Sequence, residues 1–260
     1  MTNSHAFLRK EWMEMLRTKR LLGLGAIFMF FAITSPLMAR YMAEIFGMLI
    51  PAEDEFLLNL LDDPYWFASF SEYFGQVAQI GVIAIILMFM GTIASEKKSG
   101  SADLILTKGI SYARFVTSKF VVISSTIIAL NLLSVIIVYG YSIVLFDTTG
   151  HAHNILLGGL LHSLSLVLVV AITVLCSAFA KSSVISAVFA FIAYMAIALI
   201  SSLPVIGQYL PGGLMSHALS VTYGDYPYLR YLLASAVGAV VLIVLCLLLA
   251  VALLKKRESE

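Results

Sequence analysis

Apolar runs of bilayer length alternate with short polar interruptions along almost the whole chain. A helical crossing takes about 17 to 25 predominantly apolar residues. Six runs reach that length: 21–38, 73–95, 120–146, 155–180, 182–203 and 231–254. The fourth and fifth are separated by one charge, Lys181, yet are too long together for a single span, so a tight turn at Lys181-Ser182-Ser183 is predicted. Before the first run, residues 4–20 carry Leu8, Trp12, Met15 and Leu16 at helical spacing, with Arg9, Lys10, Glu14, Arg17 and Lys19 mostly off that stripe. This pattern predicts a helix lying at a membrane interface, with Ser4 as its N-cap. The fold read from it is all-α and integral to a membrane: one domain over 1–260, with six spans and an N-terminal interfacial helix.

The longest polar interruption on its side of the chain is 96–119. It holds Glu96, Lys97 and Lys98, a short amphipathic piece (Leu104, Ile105 and Leu106 beside Asp103 and Lys108), Arg114 and Lys119. Gly100 and Gly109 stand where a short helix would begin and end. A plain connector needs far fewer residues, so this segment reads as a docking element.

Which side it faces follows from charge. Cytoplasmic connections near span ends are enriched in Lys and Arg. With both termini on one side, that side holds 14 of the 16 basic residues, and only Arg40 and Arg230 fall opposite. The termini and 96–119 are therefore expected in the cytoplasm, with 39–72 and 204–230 outside. The outer segment 39–72 is acidic, with apolar pieces that predict one or two short interfacial helices. Glu53-Asp54-Glu55 and Asp62-Asp63 lack the alternating spacing and turn glycine of a calcium loop, so a solvated face is favoured over an ion site. His151 and His153 lack a third ligand and read as loop residues. Pro204, Gly207, Pro211, Gly212 and Gly213 interrupt the stretch before the last run, predicting short helices dipping into the bilayer, as a lid or a plain re-entrant connector.

Composition agrees with the pattern. Hydrophobic residues make up 61% of the chain and charged ones 12%, about half the charge of a soluble domain. Mean hydropathy is +0.99. Basic residues are not gathered on one element, which argues against a nucleic-acid partner. No cleaved signal peptide is expected, and Cys176 and Cys246 sit singly in apolar runs. None of the six runs contains Asp, Glu, Lys or Arg, so the buried ionisable relay of an ion-coupled carrier is not expected. Asn131, Tyr139, Tyr141, His162, Thr173 and Ser177 read as packing groups that bond between helices. His162 with Asn131 is too little for an intramembrane enzyme, and no phosphate-binding loop, zinc-protease or serine-hydrolase motif occurs. The chain is not expected to be an enzyme, and energy for any work would come from another chain.

Residues around the 96–119 segment resemble the permease subunits of ABC-2 type ABC transporters, particularly the NosY-like permeases. The resemblance rests on Glu96 closing the second run, Gly100 a turn later, the Leu104-Ile105-Leu106-Thr107 run and Lys119 opening the third. Gly109 stands where that family usually has Pro, and Tyr112 where it usually has a basic residue. The resemblance extends to Lys10-Glu11 and Arg17 before the first run, the 181–183 turn and the Pro-containing stretch before the last. It implies an ABC-2 exporter fold that dimerises, with a second copy or a related permease. A separate ATP-hydrolysing subunit would dock on 96–119 through Glu96, Lys97, Lys98, Gly100, Leu104, Leu106, Gly109 and Lys119. It also implies export by alternating access in the cell membrane, with ATP on the partner and no cofactor in this chain. The alternative is a non-transporting scaffold or sensor subunit of an ATPase complex.

Overall fold

The computed structural model describes residues 2–49, 65–107, 109–146, 150–226 and 229–258, which are helical and contain no strand. Among them, six helices are long and apolar enough to cross a membrane. Helix α1 (Thr2–Arg17) precedes the first span, α2 (Arg20–Leu49). The second span is built in pieces: α3 (Trp66–Gln76), a π-turn (Val77–Gly81), α4 (Val82–Phe89) and α5 (Ala94–Lys98). A short α6 (Ser101–Thr107) leads to the third, fourth and fifth spans: α7 (Tyr112–Phe146), α8 (Ala152–Phe179) and α9 (Ser183–Ser201). Then come α10 (Leu214–Tyr223) and the last span, α11 (Leu229–Glu258).

The helices outrun the apolar runs that announced them. Helix α2 continues past Met38 to Leu49, the second span starts at Trp66 rather than Tyr73, and α7 starts at Tyr112 rather than Phe120. Ala, Met, Glu and Arg in 39–49 favour helix as strongly as the apolar residues before them, so hydropathy falls where the backbone does not change. The short interfacial helices expected in 39–72 are thus replaced at both ends by extensions of the spans. Residues 50–64, with Glu53, Asp54, Glu55, Asp62 and Asp63, lie outside the described residues. The 96–119 segment shrinks likewise: Glu96, Lys97 and Lys98 belong to α5, Lys119 belongs to α7, and only 99–111 lies between the spans. Ser4 lies inside α1 rather than capping it, and His153 is in the first turn of α8 rather than in a loop.

Helix α8 is the hub. In its most apolar window 67% of residues are buried, against 17% for α9, which leaves α9 as the least covered span. Helix α8 packs against α7, α9, α10 and α11. Close approach depends on Gly158: a Cβ there would lie 1.9 Å from Thr222 Oγ1 and 2.6 Å from the Ala218 carbonyl oxygen on α10. At the 181–183 turn, Ser182 caps α9 by accepting the Ile185 N–H at 3.3 Å. The segment before the last span forms two 3-10 turns, Gly207–Tyr209 and Pro211–Gly213, and then α10, which buries Leu214, Ala218 and Val221 in the bundle.

Candidate functional site

Five charged side chains meet where α1, α5 and α7 converge. Lys119 Nζ lies 3.1 Å from both carboxylate oxygens of Glu11 and 2.7 Å from Glu96 Oε1. Lys119 is 2% exposed and Glu11 8%, so this is a buried ion cluster rather than a surface pair. Lys10 closes its rim, 2.9 Å from Glu14, 3.0 Å from Glu11 and 3.6 Å from Glu96. Phe7 of α1 packs on Phe115 of α7 with ring centroids 6.1 Å apart, and the Lys119 ammonium sits 5.1 Å from the Phe115 ring.

The rim groups titrate away from their ordinary values. For Lys10 the largest influence is burial, which pulls the ammonium down. The Glu14 hydrogen bond and the charges of Glu11 and Glu96 together outweigh it, and the pKa is raised. Glu14 is the mirror case: burial pushes its carboxyl up, and the hydrogen bond and charge of Lys10, with Lys119 and Arg20 adding to them, bring it below the usual value.

Glu96 and Lys119, read from sequence as contacts for a partner, are therefore spent on each other and on Glu11. The stripe through Leu8, Trp12, Met15 and Leu16 left Glu11 off the buried face, and of those four only Met15 is buried. In the structure α1 buries Phe7, Glu11 and Met15, while Trp12 and Leu16 are exposed. The signal was present as the four-residue spacing of Phe7, Glu11 and Met15, one helix face.

Lys97 also turns inward. Its Nζ donates to the carbonyls of Ala178 (2.5 Å) and Ala180 (3.0 Å), where α8 ends and carbonyls lack helical partners. Beside it, Ser177 mends a break in the second span. Between α4 and α5 the backbone leaves the helical ladder, and Ser177 Oγ accepts from the N–H groups of Ile93 (2.9 Å) and Ala94 (3.0 Å) while donating to the Met90 carbonyl (2.9 Å). A hydroxyl on the hub helix supplies what the bilayer core cannot. Ser177 thus bonds between helices, as its place in an apolar run suggested, and the break it bonds to has no signal in the sequence.

Lys98 is exposed, as is Arg114 in the first turn of α7. Gly100 and Gly109 have φ of +72° and +82°, left-handed values that suit glycine, and they bracket α6 on either side. Helix α6 rests on the bundle through buried Ala102 and half-buried Ile105. Leu104 and Leu106 belong to α6 by backbone; their side chains and all of Lys108 lie outside the described residues.

Further along the spans Tyr73, Asn131, His162 and Ser163 are joined into one network. Tyr73 O–H donates to Asn131 Oδ1 at 3.1 Å, and His162 Nδ1 lies 3.0 Å from the same oxygen. Asn131 Nδ2 donates to the Gly159 carbonyl (3.1 Å) and to Ser163 Oγ (2.9 Å). His162 stacks on Phe74 with centroids 4.3 Å apart. Spans two, three and four are pinned together here.

No family model matches the chain. It is similar to the uncharacterized transmembrane protein YxlG of Bacillus subtilis (strain 168), 27% identical over 129 residues. The match covers 45% of this chain and 45% of that protein, so it spans less than half the relative's length. With the six apolar helices, it identifies a multi-pass membrane protein.

Proposed function

We propose that this chain is the membrane-spanning permease subunit of an ABC-2 type ABC transporter, an exporter whose ATP is hydrolysed on a separate subunit. The observation that carries the reading is the Lys119 cluster, which ties α1, the end of the second span and the start of the third into one unit directly behind α6. A partner subunit gripping α6, exposed Lys98 and the Gly100 and Gly109 turns would move both spans together. The second span carries two irregularities, the 90–93 break and the Val77–Gly81 π-turn. Such points are where long helices bend, so displacement of α5 would change the angle of the rest of that span. The permease would then switch between inward and outward states as its partner closes on nucleotide.

The remaining parts fit this role. The distribution of basic residues favours cytoplasmic termini in the cell membrane. The little-covered face of α9, with Phe189, Ile192, Met195 and Leu199 exposed, is the surface for a second copy or a related permease. ATP would reside on the partner, and this chain needs no cofactor of its own. Glu96, Lys97 and Lys119 act by stiffening the docking unit, while Lys98, like Arg114, faces outward. Reversing that charge (Lys98→Glu) is expected to reduce substrate-stimulated ATP hydrolysis of the reconstituted complex several-fold with unchanged protein stability. Unaltered stimulation would remove Lys98 from the docking surface.

A further inference from the structure

The end of the bundle away from α1 contains a cavity of about 460 Å³, walled by α3 and the π-turn, α8, α9 and the segment running into α10. That volume falls in the range, about 300 to 1,000 Å³, of small-molecule sites. Its walls are mostly apolar, with Phe74, Val82, Leu166, Ile197 and Leu219 among them. Most hydroxyls on these walls are already used: Ser165, Ser202 and Ser216 donate to the carbonyls of His162, Leu199 and Gly213 at 2.7, 2.7 and 2.8 Å.

Two buried polar atoms among the described lining residues are not used. His162 Nε2 and Ser201 Oγ are buried without a hydrogen-bond partner, and both residues line this cavity. His162 is fully buried, and leaving such an atom unpaired is costly. The network on the other side of the ring fixes what Nε2 can do. Asn131 Oδ1 is an acceptor, since its Nδ2 is committed to Gly159 and Ser163, so the Nδ1 facing it at 3.0 Å carries the imidazole proton. In the neutral ring Nε2 is then a lone pair. It asks for a donor.

We infer that this cavity is a binding site for an uncharged amphipathic alcohol, whose O–H donates to His162 Nε2 and whose hydrocarbon body fills the apolar walls. The Ser201 hydroxyl, both donor and acceptor, serves the oxygen of the same group or a second one. A carboxylate or phosphate is disfavoured, because among the described residues no cationic side chain lines the cavity and the fixed lone pair would repel it. Two sources share this chemistry, a free long-chain alcohol and the hydroxyl of a membrane lipid such as a diacylglycerol. Equilibrium binding to the chain alone needs neither an ATPase nor transport, so a failed permease assignment leaves this site untouched, and the reverse holds.

The test uses the full chain in phosphatidylcholine nanodiscs with diazirine-labelled dodecanol and its methyl ether, mapping labelled peptides by mass spectrometry. Saturable labelling of cavity-lining peptides by the alcohol is expected at a concentration on the order of ten-fold lower than by the ether, the size of one buried hydrogen bond. His162→Phe keeps the stacked ring, removes the acceptor and should erase that difference. Gly75→Leu fills the space directly: a Cβ at Gly75 meets nothing within 4 Å, and the residue lines the cavity. It should abolish saturable labelling by both probes while the protein stays monodisperse. Competition by dioleoylglycerol assigns the site to a lipid alcohol; retained alcohol selectivity without competition assigns it to a free one. Equal half-saturation for alcohol and ether, a preference that survives in His162→Phe, or labelling unchanged in Gly75→Leu would each overturn the proposal.

Discussion

The Lys119 ammonium lies 2.7 Å from Glu96 Oε1, joining residues 23 apart in sequence across the connection between the second and third spans. The pair shuts the base of that connection like a clasp, and α6 is held outside it between two left-handed glycines. Glu11 enters from a third helix, so the N-terminal segment belongs to the same unit rather than lying loose on the membrane surface.

Breaking this cluster from one side should be far worse than removing it whole. Lys119→Met leaves Glu11 and Glu96 with Lys10 as their nearest ammonium, and truncating one member of a buried ion pair costs about 3–5 kcal/mol. Thermal unfolding in detergent should show a large drop for Lys119→Met. Most of it should be recovered in the triple variant Glu11→Gln, Glu96→Gln, Lys119→Met, since the desolvation of unpaired charge is then gone. A triple variant as unstable as the single one would mean that the cluster stabilises chiefly by attraction.

Acid should loosen α1 before it unfolds the spans. Glu14 has a folded pKa below its ordinary 4.5, so its contribution is complete above that value and disappears as pH falls through the lower folded one. Lys10, shifted upward from 10.5, contributes fully below that value and plays no part in an acid transition. With Trp66→Phe isolating Trp12 as the remaining tryptophan, its emission should change below pH 4.5. Glu14→Gln should flatten that change; an identical transition in Glu14→Gln would place its origin elsewhere.

Ser177 should prove more important than a lone serine in a span normally is. Ser177→Ala strands two N–H groups and one carbonyl at the 90–93 break, at a cost on the order of 2–3 kcal/mol. Hydrogen exchange at the amides of Ile93 and Ala94 should quicken by ten-fold or more, with little effect on the remainder of α8. Unchanged protection there would mean that these amides find other acceptors when the hydroxyl is lost.

The sequence carried the spans because a bilayer leaves few ways to satisfy a backbone, and runs of apolar residues declare the helical one. Their ends were less legible: hydropathy stops at Met38 and Ser95, while helix propensity carries α2 and α5 onward. The same mismatch hid the site. Glu96 and Lys119 were placed outside the spans, in the connection offered to a partner, whereas the helices that contain them turn both inward onto Glu11. Asn131 and His162 were legible as groups that bond between helices, but not as partners of Tyr73 and Ser163, because residues 31 apart in sequence reveal their geometry only once spans three and four lie side by side. Cavities leave still less trace, since Gly75 reads the same whether a neighbour or open space lies beside it.

The proposed role requires that a separate ATPase grip the connection between spans two and three. The tagged chain should be purified from its native membrane in mild detergent and assayed for ATP hydrolysis, alongside a variant with 101–107 replaced by a Gly/Ser linker. Co-purifying ATPase activity with the intact chain, lost in the linker variant while that protein remains monodisperse, is the predicted result. An intact chain that brings down no ATP-hydrolysing subunit, or an ATPase still bound to the linker variant, would contradict it.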